Sequence, residues 1–94
     1  MSLKGGQIWS DTTRYNSRGY TLTSNYAVLI VTSHNGNGSK NAGYTGGGTI
    51  YKSHTSHSED VIDSCIAVIG ATSGSRVYAD NDWYEAHVYG YNVS

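Results

Sequence analysis

Hydrophobic and polar residues in this chain occur in short runs and do not follow the period of a helix. Runs rich in Val, Ile, Leu, Thr and Tyr are separated by clusters of Gly, Asn and Ser, a spacing typical of a sandwich or barrel. The pattern predicts strands at 7–10, 19–23, 27–32, 49–54, 62–70, 75–78 and 85–92. We therefore expect an all-β fold, a small antiparallel β-sandwich of jelly-roll-like form with about seven short strands.

Polar and glycine-rich segments between these runs predict the connections. Thr23–Asn25 and Thr72–Ser75 have the composition of tight turns, because Asn and Gly accept positive φ at low cost. Residues 35–48, with many glycines and one aromatic side chain, Tyr44, are expected to form one long loop, of a length that is usually functional or disordered. The chain contains no Pro, as suits uninterrupted strand ladders.

A chain of 94 residues has the length of one domain with a thin hydrophobic core. The first residues, Met1–Leu3, resemble an expression leader. We expect residues 1–6 to be a leader or disordered segment outside the fold, and residues 7–94 to form a single β-sandwich domain.

Two runs within the predicted strands, 27–31 and 65–69, are apolar at every position. A strand with one face in water alternates, so continuous apolarity indicates that both faces are covered. The second cover is either another subunit of a homo-oligomer or loops of the same chain, and the sequence does not separate the two. Cys65, the lone cysteine, lies in the second run and is expected to be buried as a small hydrophobe.

The charge content argues against two classes of partner. Only 14% of residues are charged and the net charge is -1, which lacks the basic footprint of a nucleic-acid-binding protein. No apolar run approaches the roughly 20 residues that cross a bilayer, so we expect no membrane insertion. Ser, Thr, Asn and Gly make up most of the uncharged polar residues, and such residues are common on the exposed surfaces of β-rich proteins outside the cytosol.

Candidate chemistry is sparse. His54, His57 and Glu59 are the local group with metal-capable side chains, although their spacing matches no zinc signature, and a solvated polar loop is the alternative. Asp80–Asp82 offers oxygen ligands but lacks the remainder of a calcium loop, which favours an ordinary turn. Ala71–Ser75 lacks the first glycine of a nucleophile elbow. We therefore expect no enzyme activity and no cofactor.

An aromatic and polar cluster is the best candidate for ligand recognition. Aromatic faces stack on sugar rings while neighbouring carboxylates and amides form hydrogen bonds. The alternative is that Trp83 closes one end of the core, which is the more common role of a Trp. The candidate residues are Trp83, Tyr84, Asp80, Asn81, Asp82, Tyr44, Tyr89 and Tyr91.

Five segments in order resemble small β-sandwich domains of phage and prophage tail fibres and virion tip proteins: Ile8–Ser10, Tyr20–Val31, Gly48–Tyr51, Cys65–Tyr78 and His87–Tyr91. The resemblance spans roughly residues 7–93 and is a pattern of strands. It implies a homo-oligomeric, preferably homotrimeric, domain that adheres to a host surface, often to glycan, with no catalytic residues. The chain has neither an upstream shaft sequence nor the His-x-His pair of some fibre needles.

Three functional hypotheses follow. The first is a non-enzymatic tail-fibre or virion domain that attaches to a host-surface glycan or protein, located in the virion tail or on an extracellular surface. The second is a carbohydrate-binding module of a secreted enzyme. The third is a purely structural spacer in a virion.

Overall fold

A computed structural model describes residues 2–11, 18–35, 42–58, 61–79 and 85–93, with the backbone alone described at 18, 35, 42, 55–58, 61–63, 79 and 85. Every regular element in these ranges is a strand. The strands are β1 (Leu3–Asp11), β2 (Arg18–Thr21), β3 (Tyr26–Asn35), β4 (Ala42–Thr45), β5 (Thr49–Ser58), β6 (Val61–Ala71), β7 (Arg76–Ala79) and β8 (Glu85–Val93).

The strands form two antiparallel sheets that face each other. The larger sheet has the order β1-β8-β3-β6-β5, and the smaller has the order β2-β7-β4. Strand β1 pairs with β8, β2 with β7 and β3 with β6. This nested pairing is that of a ribbon rolled into a jelly roll, so the predicted fold class is confirmed. Strand β5 departs from the simple roll, because it pairs with β6 and not with β4.

The strand boundaries differ from the sequence prediction at three places. The segment predicted as one loop over 35–48 contains β4, which pairs with β7. Strand β1 includes Leu3–Gly6, which we had placed outside the fold, paired with β8 as far as Leu3 opposite Val93. The strands of the larger sheet are 9–11 residues long and not short. The glycine content of β4 and of the start of β1 does not predict strands. Their partner strands supply the hydrogen bonds that hold them extended.

The core lies between the two sheets. Leu29 and Val31 of β3 are fully buried, and Val68 of β6 and Val88 of β8 lie beside them on the same face. The smaller sheet covers this face with Tyr44 and Val77, and Leu22, in the link after β2, joins them. Because side chains alternate along a strand, burial of these residues determines which alternate residues of each strand face the core.

Trp9 closes one side of the sandwich, where β1 lies over β2. Its ring stacks on Tyr20 at a centroid distance of 5.7 Å and an interplanar angle of 18°. A bulge between Gln7 and Trp9 shifts the register, so that Gln7 lies opposite Tyr89 but Trp9 lies opposite Val88. The extra residue therefore turns Trp9 toward the core, where it packs against Ala86.

Three short links, 22–25, 46–48 and 72–75, lie at one end of the sandwich, which we call the turn end. Ser75 connects them: its carbonyl accepts from the Leu22 N–H at 2.8 Å, and its hydroxyl accepts from the Gly47 N–H at 2.9 Å. The Gly74 N–H donates to the Leu22 carbonyl at 2.9 Å. Gly74 has φ 89°, which a glycine adopts without strain and which turns the chain into β7.

The other ends of the strands lie at the opposite end of the sandwich, which we call the connection end. The antiparallel register places Asn35 of β3, Val61 of β6 and Glu85 of β8 at this end of the larger sheet. Strands β2 and β4 both begin opposite Ala79, where β7 ends. The first and last described residues, Ser2 and Val93, lie at the turn end, so the body of 41 × 21 × 19 Å has two dissimilar ends.

Truncating the core should cost far more than truncating the surface. We expect Leu29→Ala to lower the free energy of unfolding by about 2–5 kcal/mol, because Leu29 is fully buried and a cavity would remain. Ile50→Ala is the matched control, with a side chain that is 50% exposed, and should cost less than about 1 kcal/mol. Urea unfolding followed by circular dichroism gives both values. Equal losses would contradict the assigned core face.

Removing the Ser75 hydroxyl should destabilise the turn end. Ser75 is buried and its hydroxyl also lies 3.1 Å from Thr72 Oγ1, so Ser75→Ala leaves the Gly47 N–H without its acceptor. We expect a loss of about 1–3 kcal/mol. Ser73→Ala is the control, since Ser73 is exposed and uses its backbone N–H to bind Asn25 Oδ1. A similar loss in both variants, again in urea, would argue against the Ser75 contacts.

Candidate functional site

The face of the larger sheet that points away from the smaller sheet is the main candidate contact surface. Alternate residues of its three central strands share this face. Val28 of β3 lies between Tyr91 of β8 and Ile69 of β6, and Ile30 lies between Tyr89 and Ala67. We call this surface the outer face: Tyr89, Tyr91, Val28, Ile30, Ala67 and Ile69.

The outer face is apolar but open. Ile69 is 46% exposed, and Val28, Ile30 and Ala67 are only partly buried. None of the described elements lies over it, since the smaller sheet packs on the opposite face. The two continuously apolar runs thus have one face in the core and one face that the described part of the chain leaves uncovered.

Cys65 continues this face toward the connection end. It lies opposite Thr32 of β3 and His54 of β5, and it is exposed. The expectation that Cys65 is buried is wrong. The alternation of β6 puts Ile66 and Val68 in the core and therefore turns Cys65 outward.

A hollow of about 360 Å³ lies at this level of the sheet. Across β8, β3, β6 and β5 the paired residues are His87, Thr32, Cys65 and His54, and His34 follows two positions after Thr32. The His87 and Tyr89 rings lie 6.3 Å apart, so the imidazoles adjoin the outer face. The hollow is lined by Thr32, Ser33, His34, His54, Ser64, Cys65 and His87.

The sequence did not predict this group of histidines. His34 and His87 are 53 positions apart and meet only because β3 pairs with β8. The alternation of β8 is a usable signal, since a period of two places His87, Tyr89 and Tyr91 on one face, and the structure has them there. That pattern does not identify β3, which supplies His34, as the neighbour of β8.

The predicted metal group is only partly visible. His54 is exposed on β5, whereas the side chain of His57 and all of Glu59 lie outside the described residues. Among the side chains that the structure describes, no three of His, Cys, Asp or Glu are arranged to hold a metal ion. The His54, His57 and Glu59 site stays a prediction.

The structure describes three of the eight predicted recognition residues, Tyr44, Tyr89 and Tyr91. Trp83, Tyr84, Asp80, Asn81 and Asp82 lie outside the described residues, between the end of β7 and the start of β8. Tyr89 and Tyr91 are half-buried on the outer face, next to each other along β8.

Tyr44 is in a different place from the one we expected. It is 7% exposed, lies in the core and donates its hydroxyl to the Gly47 carbonyl. Its position on β4 opposite Val77 explains this burial, because Val77 also faces the core. Tyr44 therefore does not join the other aromatic residues in an exposed surface.

Two further findings complete the description. Within the described ranges there is no helix that is long and apolar enough to span a membrane. Comparison of the chain with protein-family models, curated proteins and solved structures found no match.

A conservative change tests the structural role of Tyr44. Tyr44→Phe removes the hydroxyl that binds the Gly47 carbonyl and should lower the free energy of unfolding by about 1 kcal/mol. Tyr51→Phe is the control, since Tyr51 is 74% exposed, and should leave stability unchanged. Thermal and urea unfolding measure both. A neutral Tyr44→Phe variant would mean that the hydroxyl adds nothing to the turn end.

Proposed function

We propose that this chain is a non-enzymatic domain of a tail-fibre or related virion assembly that attaches to a host-surface glycan or protein through its connection end. The observation that carries the proposal is the difference between the two ends of the sandwich. Short hydrogen-bonded links and both described termini occupy the turn end, while the long connections leave from the other end.

Such an arrangement suits attachment. Any segment that joins the chain before Ser2 or after Val93 does so at the turn end, which keeps the connection end free for contact. Binding residues are often carried by connections on a rigid scaffold, because connections vary without disturbing the core. The connection between Ala79 and Glu85 contains Trp83 and Tyr84, the strongest aromatic pair of the predicted recognition cluster.

The fold is compatible with this function without specifying it. Jelly rolls occur in viral capsid and lectin domains, and one fold serves many functions. The absence of strong net charge, -1 over the chain, favours neutral ligands such as glycans over phosphate-rich ones. A homo-oligomer, preferably a trimer, on a virion tail or an extracellular surface would present several copies of the connection end together and raise avidity.

A carbohydrate-binding module is the second candidate, because Tyr89 and Tyr91 form a row of partly exposed rings on the outer face. Such a row can stack on a soluble polysaccharide. This function needs the outer face to be free in solution, whereas attachment through the connection end does not.

Attachment is tested on arrays of bacterial surface polysaccharides and host glycans, with binding to intact cells in parallel. We expect Tyr84→Ala to weaken binding at least about tenfold, as for an aromatic residue central to an interface. Tyr51→Ala is the matched control, since Tyr51 is 74% exposed near the turn end, and should bind normally. Loss of binding in Tyr89→Ala with normal binding in Tyr84→Ala would favour the carbohydrate-binding module. If the intact chain binds none of the arrays or cells, the hypothesis of a structural spacer is favoured.

A further inference from the structure

We infer that the outer face is the surface on which a second copy of this chain docks, sheet against sheet. The inference names the partner in the proposed assembly and rests on that proposal only for its context. Its evidence is independent of the connection end. It comes from the composition of the outer face, from the edges of the larger sheet and from the area available.

The composition of the outer face suits a copy of itself. Four aliphatic side chains lie at its centre and two tyrosines lie along β8, where their hydroxyls can meet water or a partner. The nearest described charge in these rows is Lys52, at the margin on β5 opposite Ala67. Because the six residues of the outer face are uncharged, two such faces bring no like charges together at their centres, and a highly charged partner would find no complement there.

The edges of the larger sheet are protected, in contrast to its face. Strand β1 has a bulge between Gln7 and Trp9, and strand β5 has one between Ile50 and Lys52. Bulges and an edge lysine are devices that prevent another chain from extending a sheet. The fold thus discourages edge-to-edge pairing but leaves an apolar face open, which selects face-to-face packing.

The area is sufficient for a specific contact. A docked copy would cover the outer face together with its margins on β1 and β5. Five strands at about 4.8 Å spacing give a width of about 24 Å, and the levels from Val28 to His34 give a length of about 20 Å. The product is about 500 Å² per copy, or about 1,000 Å² in total. This reaches the lower limit for specific interfaces, so we expect a weak, reversible contact. The larger sheets of the two copies would then pack face to face, about 10 Å apart.

Sedimentation equilibrium of the intact chain, from about 1 to about 500 µM, tests the inference. We expect reversible assembly of the wild type. Ile69→Lys should weaken it at least about tenfold, because an ammonium group would be buried without a partner. Since Ile69 is 46% exposed in the single chain, the variant should keep its circular dichroism spectrum and urea midpoint. Ser73→Lys, at an exposed residue of the turn end that lies outside the larger sheet, is the matched control and should assemble as the wild type does.

Cys65 provides a second measurement that does not depend on mass. It is exposed and lies one level beyond Ala67, within the area that a docked copy would cover. Its reaction with a thiol reagent should slow at least about fivefold above the assembly concentration, in wild type and Ser73→Lys but not in Ile69→Lys.

The outcomes separate the inference from the proposed function. A reversible dimer that Ile69→Lys disrupts supports docking of like faces, because a contact of one face with its own copy closes at two chains, whereas a trimer contradicts it. A wild type that stays monomeric at the highest concentration overturns the inference, as does assembly that Ile69→Lys leaves intact. A monomer that still binds cells through Tyr84 would preserve attachment and remove the docking surface. An assembled chain that binds no host surface would do the reverse.

Discussion

The contact between the central strands of the larger sheet and the smaller sheet is the constraint on which the rest of the structure depends. Leu29 and Val31 are fully buried beneath Leu22, Tyr44 and Val77. Because the strand repeat is two residues, a shift of one position would expose this whole set. The core therefore holds the register of β3, and β3 in turn holds β6 and β8 on either side.

The same constraint creates the outer face. Once the odd-numbered residues of β3 face the smaller sheet, Val28 and Ile30 must point the other way, although they are as hydrophobic as their neighbours. A domain of this size has few elements with which to cover a second face, and the smaller sheet is already used. An apolar face without a cover in its own chain is a feature that oligomerisation can satisfy.

The two sheets also explain why the ends of the molecule differ. Strands β2, β4 and β7 have four residues each, so the smaller sheet covers only part of the longer strands of the larger sheet. Its links at the turn end are short and are held by Ser75 and Asn25. At the other end the larger sheet extends to His34 and His87, and a hollow lies there beside the outer face. Rigid packing and candidate chemistry thus occupy different ends of the same strands.

By itself the sequence determined the fold class, the tight turns and the alternation of β8, since each depends on local composition and on the two-residue repeat of a strand. It also indicated that the runs around Leu29 and Val68 have two apolar faces. Only the tertiary structure decided which face is the core, that Cys65 points outward and that Tyr44 points inward. Only the fold brings His34, His54 and His87 to one hollow, and it makes β4 a strand. The reason is that sheet pairing is non-local: hydrogen bonds to strands far away in the sequence choose neighbours and register, and a local pattern does not contain the partner.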